Sequence, residues 1–209
     1  MRTRNFGRAA LAAAAAAGVA LSSAKARADE LSALETSRLL SGETVARRQS
    51  LERDQRRYVG GVAYTIVDAP ADRVSDMLAS IDGWQQLLPR TRSARHVGSI
   101  LGDTLVELTS GTALFHATYT VRVRHEGREV RFWMDPRRPH DIEDAWGFVR
   151  AEPLADGRSM LTFGILIDMG PGLLRTLFES RIRELALSVP DRVRGWVVER
   201  NAVGRGASR

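Results

Sequence analysis

Residues 171–200, PGLLRTLFESRIRELALSVPDRVRGWVVER, decide the fold. Within them Leu174, Phe178, Ile182, Leu185, Val189, Val193 and Trp196 recur every three or four positions, with arginines and glutamates between. That spacing matches the turn of an α-helix and lines the apolar residues up as one stripe along a long rod. A stripe of this length needs a broad apolar surface opposite it, and the strands upstream are the only candidate in the chain. Pro190 lies inside the rod, where its ring opposes the carbonyl of Ala186 and predicts a kink.

Upstream, six segments read as strands, near Thr91–Leu101, Asp103–Ser110, Leu114–His125, Arg128–Asp135, Ile142–Glu152 and Ser159–Met169. Gly102-Asp103, Gly111, Glu126-Gly127, Pro136 to Pro139 and Asp156-Gly157 punctuate them as turns. In the third segment Phe115, Ala117, Tyr119, Val121 and Val123 share one face, while His116, Thr118, Thr120, Arg122 and Arg124 share the other. Val130, Phe132 and Met134 repeat the pattern, as do Leu161, Phe163, Ile165 and Ile167. One apolar and one polar face is what an antiparallel sheet wetted on one side requires.

Ahead of these strands, Tyr58 to Val67 alternates as a first clear strand, in which Gly60-Gly61 marks a bulge or close packing rather than a phosphate loop. Pro70 and Asp72 suit the first turn of a helix. Helical spacing then continues to Pro89, and Asp82-Gly83 breaks the segment into two short helices. Residues 29–57 are polar, with a short helix expected to end at Gly42. The stretch from Glu43 to Arg57 is open between strand and solvated helix.

The chain of 209 residues carries a net charge of +6. The first 28 residues hold five bases (Arg2, Arg4, Arg8, Lys25, Arg27) and no acid, so the remaining residues have 26 bases against 25 acids. A net of +1 supports a nucleic-acid partner only weakly, since phosphate binding needs a concentrated basic face. The leader has a basic start, a short alanine-rich run from Ala9 to Leu21, and Ala26-Arg27-Ala28 before Asp29. It reads as a cleavable signal peptide over residues 1–28, with an alanine-rich tail as the alternative, and implies a periplasmic or secreted protein. No cysteine is present, so neither a disulfide nor a thioether anchor can form.

The order of elements (strand, two short helices, antiparallel strands, long terminal helix) is joined by two stretches of sequence. These are VDAPADRVSDMLASIDGWQQLLPRTRSARHV at 67–97 and WGFVRAEPLADGRSMLTFGILIDMG at 146–170. Together they resemble the START/Bet v 1-like (SRPBCC) superfamily, and within it the polyketide cyclase and coenzyme Q-binding branch, from about Val59 to Val198. The resemblance implies an α+β helix-grip fold, a curved antiparallel sheet wrapped around a long C-terminal helix. It places the domain at 58–200, after a polar extension at 29–57 and before a disordered tail at 201–209. It also implies a cavity holding a lipid, isoprenoid quinone or polyketide-like molecule, and with it a transient membrane contact. Oligomeric state stays open.

The cavity candidates are Trp84, Leu88, Phe115, Ala117, Tyr119, Phe132, Asp144, Trp146, Phe148, Phe163, Phe178 and Ile182; each aromatic among them is either a pocket wall or plain core. Asp144 shares a face with Ile142, Trp146 and Phe148 by period two, so it either meets a guest's polar head or an arginine, or lies wet at the strand's edge. His140, Asp141, Glu143 and Asp144 alternate faces with no second histidine near, which gives no metal site, and no cofactor is implied. No nucleophile elbow or His/Asp pairing is spelled out, so nothing demands catalysis. The expectation is a non-catalytic carrier. The alternative is a cyclase or dehydratase using Tyr119 or Asp144 as proton donor or acceptor.

Overall fold

The computed structural model describes residues 31–111, 116–171 and 173–206. The chain divides into two units, Met1–Ser37 and Arg38–Arg209. Helix α1 (Ala33–Leu40) starts in the first unit with a reciprocal cap. Ser32 N–H donates to Glu35 Oε2 at 2.9 Å and Glu35 N–H donates to Ser32 Oγ at 3.2 Å. The helix ends as its sequence requires: Gly42 takes φ +88°, and Gly42 and Glu43 N–H donate to the carbonyls of Leu39 and Arg38.

The second unit is built on eight antiparallel strands: β1 (Val45–Arg53), β2 (Arg56–Val67), β3 (Thr91–Ile100), β4 (Asp103–Gly111), β5 (His116–Glu126), β6 (Glu129–Met134), β7 (Asp144–Pro153) and β8 (Ser159–Asp168). Their order across the sheet is β1-β2-β8-β7-β6-β5-β4-β3. Helices α2 (Ala71–Ala79) and α3 (Ile81–Leu87) follow β2, and α4 (Leu173–Leu187) and α5 (Val189–Gly206) close the chain. This is the helix-grip architecture, with a long curved antiparallel sheet and C-terminal helix.

Three details correct the sequence reading. The stretch left open between strand and helix takes the strand alternative at Val45–Arg53, where β1 pairs with β2 along its whole length, from Val45 opposite Tyr64 to Arg53 opposite Arg56. The boundary at Tyr58 therefore falls inside a hairpin, whose turn holds Asp54 and Gln55 at positive φ. The terminal rod is two helices, and the second runs past Arg200 to Gly206. The break comes at Ser188, just before Pro190, where Ser188 Oγ returns to the carbonyl of Leu185 at 2.7 Å. Proline so close to the start of α5 loses no helical hydrogen bond, so the break falls where it costs least.

Gly60 and Gly61 resolve as close packing. The registers of β2 with β1 and with β8 run through them without a shift. A Cβ at Gly60 would strike the carbonyl of Ile165, and one at Gly61 that of Arg47. Helix α5 docks on this part of the sheet through Arg194, whose Nη1 donates to the carbonyl of Gly42 at 2.6 Å and to Thr65 Oγ1 at 3.1 Å. Val193 and Val197, on α5, are fully buried in the main core with Val67, Val106, Val121, Leu161 and Phe163.

A candidate ligand cavity with a charged rim

Between the sheet and the helices lies a cavity of about 510 Å³. At roughly 30 Å³ per liquid water it has room for about seventeen molecules, and its size lies inside the usual range for small-molecule sites. Its sheet wall comes from Leu108 on β4, Ala117, Tyr119 and Val121 on β5, Phe132 on β6, Ala145 on β7, and Phe163, Ile165 and Ile167 on β8. Trp84 and Leu88, and Leu185, Ala186 and Val189 at the α4–α5 break, supply the other wall.

The aromatic residues at the deep end are held firmly. Trp84 Nε1–H donates to the carbonyl of Leu78 at 3.0 Å, so the indole has a satisfied donor while its ring meets Phe132 edge-on, centroids 5.4 Å apart. Phe132 stacks in turn on Phe163 at 6.2 Å. Gly147 lies under that ring: a Cβ there would come within 2.5 Å of Phe132 Cζ. A larger residue at 147 would displace the ring that forms the cavity floor.

Ala117, opposite Ser110 in the register, and Tyr119, opposite Leu108, lie on the wall of β5. Burial pushes the Tyr119 phenol above its ordinary value of 10, and a hydrogen bond with Ser110 offsets only part of this. The hydroxyl is therefore a neutral hydrogen-bonding group throughout the physiological range, unsuited to act as a base. Toward solvent the wall becomes polar. Arg90, His116, Asp141 and Arg181 all border the cavity and are exposed. Asp141 is tied to the β5 backbone, its Oδ2 accepting from Thr118 N–H at 2.8 Å.

Of the residues expected at the site, Trp84, Leu88, Ala117, Tyr119, Phe132 and Phe163 border the cavity. Phe115 and the side chains of Phe178 and Ile182 lie outside the described residues. Asp144, Trp146 and Phe148 do share a face, but it is the outer one. On β7 the residues turned inward are Ala145, Gly147, Val149 and Ala151, all buried. The inner face takes small residues because Phe132 lies over Gly147 and helix α2 packs on this strand. Phe148 instead covers Gly164 on the outside, with the Arg150 guanidinium 5.5 Å from its ring centre. Trp146 sits opposite Trp133, over which Arg124 lies at 5.2 Å. Asp144 accepts from Tyr58 Oη at 2.8 Å and lies 3.5 Å from Arg56, an outer-face contact that no guest in the cavity would meet.

Sequence reasoning missed the rim (Arg90, His116, Asp141, Arg181) and the wall residues Ile165 and Ile167. The last two were legible, since period two carries them along from Phe163. The rim residues sit at strand ends and on the helical wall, where no periodicity marks them.

No protein-family model and no curated protein matches the chain. Solved structures do. A STAR-related lipid transfer protein from Xanthomonas axonopodis superposes with a TM-score of 0.58 at 16% identity, over 74% of this chain and 93% of that one. A START superfamily protein from Mycobacterium smegmatis gives 0.55 at 10%, over 66% and 96%. A protein from Thermus thermophilus gives 0.55 at 14%, also over 66% and 96%. Identities this low speak for the fold alone. Eight antiparallel strands in this order, gripping a terminal helix, give the chain the START/Bet v 1-like (SRPBCC) fold.

Proposed function

We propose that the protein binds, and carries, a hydrophobic small molecule of the lipid, isoprenoid or polyketide-like class inside the cavity. The observation that supports this reading is the cavity itself, about 510 Å³ of space walled by Leu108, Val121, Phe132, Phe163 and Ile165. A wall of this kind loses dispersion contacts wherever no atom faces it, and water recovers little of that loss; an apolar guest restores it. Export through residues 1–28, and so a periplasmic or secreted carrier, belongs to the same proposal; it rests on the leader's sequence, and those residues lie outside the described ones. The cyclase alternative keeps Tyr119 but loses Asp144, which sits on the outer face.

Native mass spectrometry of the purified mature protein, followed by solvent extraction, tests the reading. The expected result is a stoichiometric apolar adduct, or uptake of one equivalent of added lipid. A protein that carries no adduct and takes up no lipid would refute it. Turnover of an extracted polyketide-like guest, lost in Tyr119→Phe, would move the assignment to the enzyme.

A further inference from the structure

The cavity wall carries two arginines, Arg90 and Arg181, beside an apolar interior. Most described arginines elsewhere are matched to carboxylates, among them Arg57 to Glu179, Arg124 to Asp103, Arg150 to Glu129 and Arg194 to Asp191. Arg90 and Arg181, both on the wall, make no ion pair and no side-chain hydrogen bond among the described residues. They come from separate elements, Arg90 from the turn before β3 and Arg181 from α4. The one carboxylate on the described wall, Asp141, is held by the Thr118 N–H. The deep end, with Trp84, Leu88, Phe132, Phe163 and Val189, carries no charge.

Arg90 is also backbone-strained. Its φ is +58°, a left-handed conformation that glycine adopts freely and a β-carbon-bearing residue rarely does. The turn is pinned by Gly111 N–H donating to the Arg90 carbonyl at 2.9 Å and Thr91 N–H donating to the Leu88 carbonyl at 3.3 Å. A long cationic side chain occupies a position that glycine would fill without strain, and that position is on the cavity rim. Two guanidinium groups against the one carboxylate of Asp141 leave the described part of the rim with a net positive charge.

Building on the cavity reading, we infer that the guest is an anionic amphiphile: an apolar chain or ring system lying against Phe132 and Phe163, with a carboxylate or phosphate head at Arg90 and Arg181. Guanidinium groups pair with either head through parallel charge-assisted hydrogen bonds.

Displacement of the uncharged dye Nile red by oleate, oleyl phosphate and oleyl alcohol tests this, because the three probes share one chain and differ in the head. In the wild-type protein at least one anionic probe is expected to bind about tenfold or more tightly than the alcohol, with the gap shrinking as salt is raised. Oleate ahead of oleyl phosphate would identify a carboxylate head, and the reverse order a phosphate head. In the Arg90→Gln/Arg181→Gln double variant the anionic probes are expected to fall to the level of the alcohol. Equal wild-type affinity for all three probes would overturn the inference and leave the cavity reading standing, as would a double variant that weakens the alcohol as much as the anions. Failure of Nile red and all three probes to bind would remove the cavity reading itself.

Discussion

Ala117→Trp fills the cavity from the sheet side. Ala117 lines the wall directly opposite Ser110, so a larger side chain there grows into open space rather than into packed core. A benzene-sized ring occupies a cavity of about 150 Å³, so an indole takes at least about a third of the 510 Å³ available. Excluding a comparable part of a guest, about six carbons at ~0.8 kcal/mol per buried methylene, removes about 5 kcal/mol of binding. At about 1.4 kcal/mol per tenfold that is a loss of about three to four orders of magnitude in affinity. The assay is Nile red and oleate titration of both proteins, with the near-ultraviolet circular dichroism and thermal midpoint measured alongside. The expected outcome is loss of binding with the fold intact. A variant that binds as before, with unchanged spectra, would refute the assignment of the guest to this space. A variant destabilised by about 1–3 kcal/mol, the usual result of overpacking, would show that Ala117 faces a filled interior.

Other perturbations probe the parts that hold the cavity open. Gly147→Ala is expected to lower stability by about 1–3 kcal/mol in denaturant titration, because its methyl group meets both the Phe132 ring and the Gly164 carbonyl. Arg194→Ala removes the tie between α5 and β2, and hydrogen exchange in α5 should speed up well before that of β5 or β6. Acid sensitivity should follow Glu129. Burial alone would raise its pKa, but hydrogen bonds from Arg131 and Arg150, with their charges, outweigh burial and hold it below the usual carboxylate range. A carboxylate depressed in the folded state contributes stability that is present above its unfolded value near about 4.3 and is lost as pH falls through the folded value. Glu129→Gln should therefore flatten the decline in thermal midpoint below about pH 4, measured by a melting series.

The parts of the fold that are legible in the sequence are those with an uninterrupted period. β5 can be read residue by residue, because Ala117, Tyr119, Val121 and Val123 are apolar and their neighbours are not. β1 cannot: Val45 is buried, but Arg48, Glu52 and Arg53 face water on an edge strand, and such a strand carries the charge pattern of a solvated helix. The face of β7 misleads for the opposite reason. Trp146 and Phe148 are larger and more apolar than Ala145 and Gly147, and hydrophobic size points inward. The interior needs small residues there, since Phe132 already fills the space over Gly147. The outer face accepts aromatic rings because arginine side chains from neighbouring positions cover them. Trp84, Phe132, Phe163 and the other expected residues that border the cavity sit on elements whose period is clear. The rim is illegible because its residues are brought together only by the closure of the fold.

A crystal of the protein pressurised with xenon shows whether a hollow lies between sheet and helices. Apolar cavities take up xenon, while packed interiors do not. The expected result is xenon, or a co-purified guest in its place, bounded by Tyr119, Phe132, Ile165 and Leu185. Electron density showing these four side chains in mutual contact, with neither xenon nor guest between them, would contradict it.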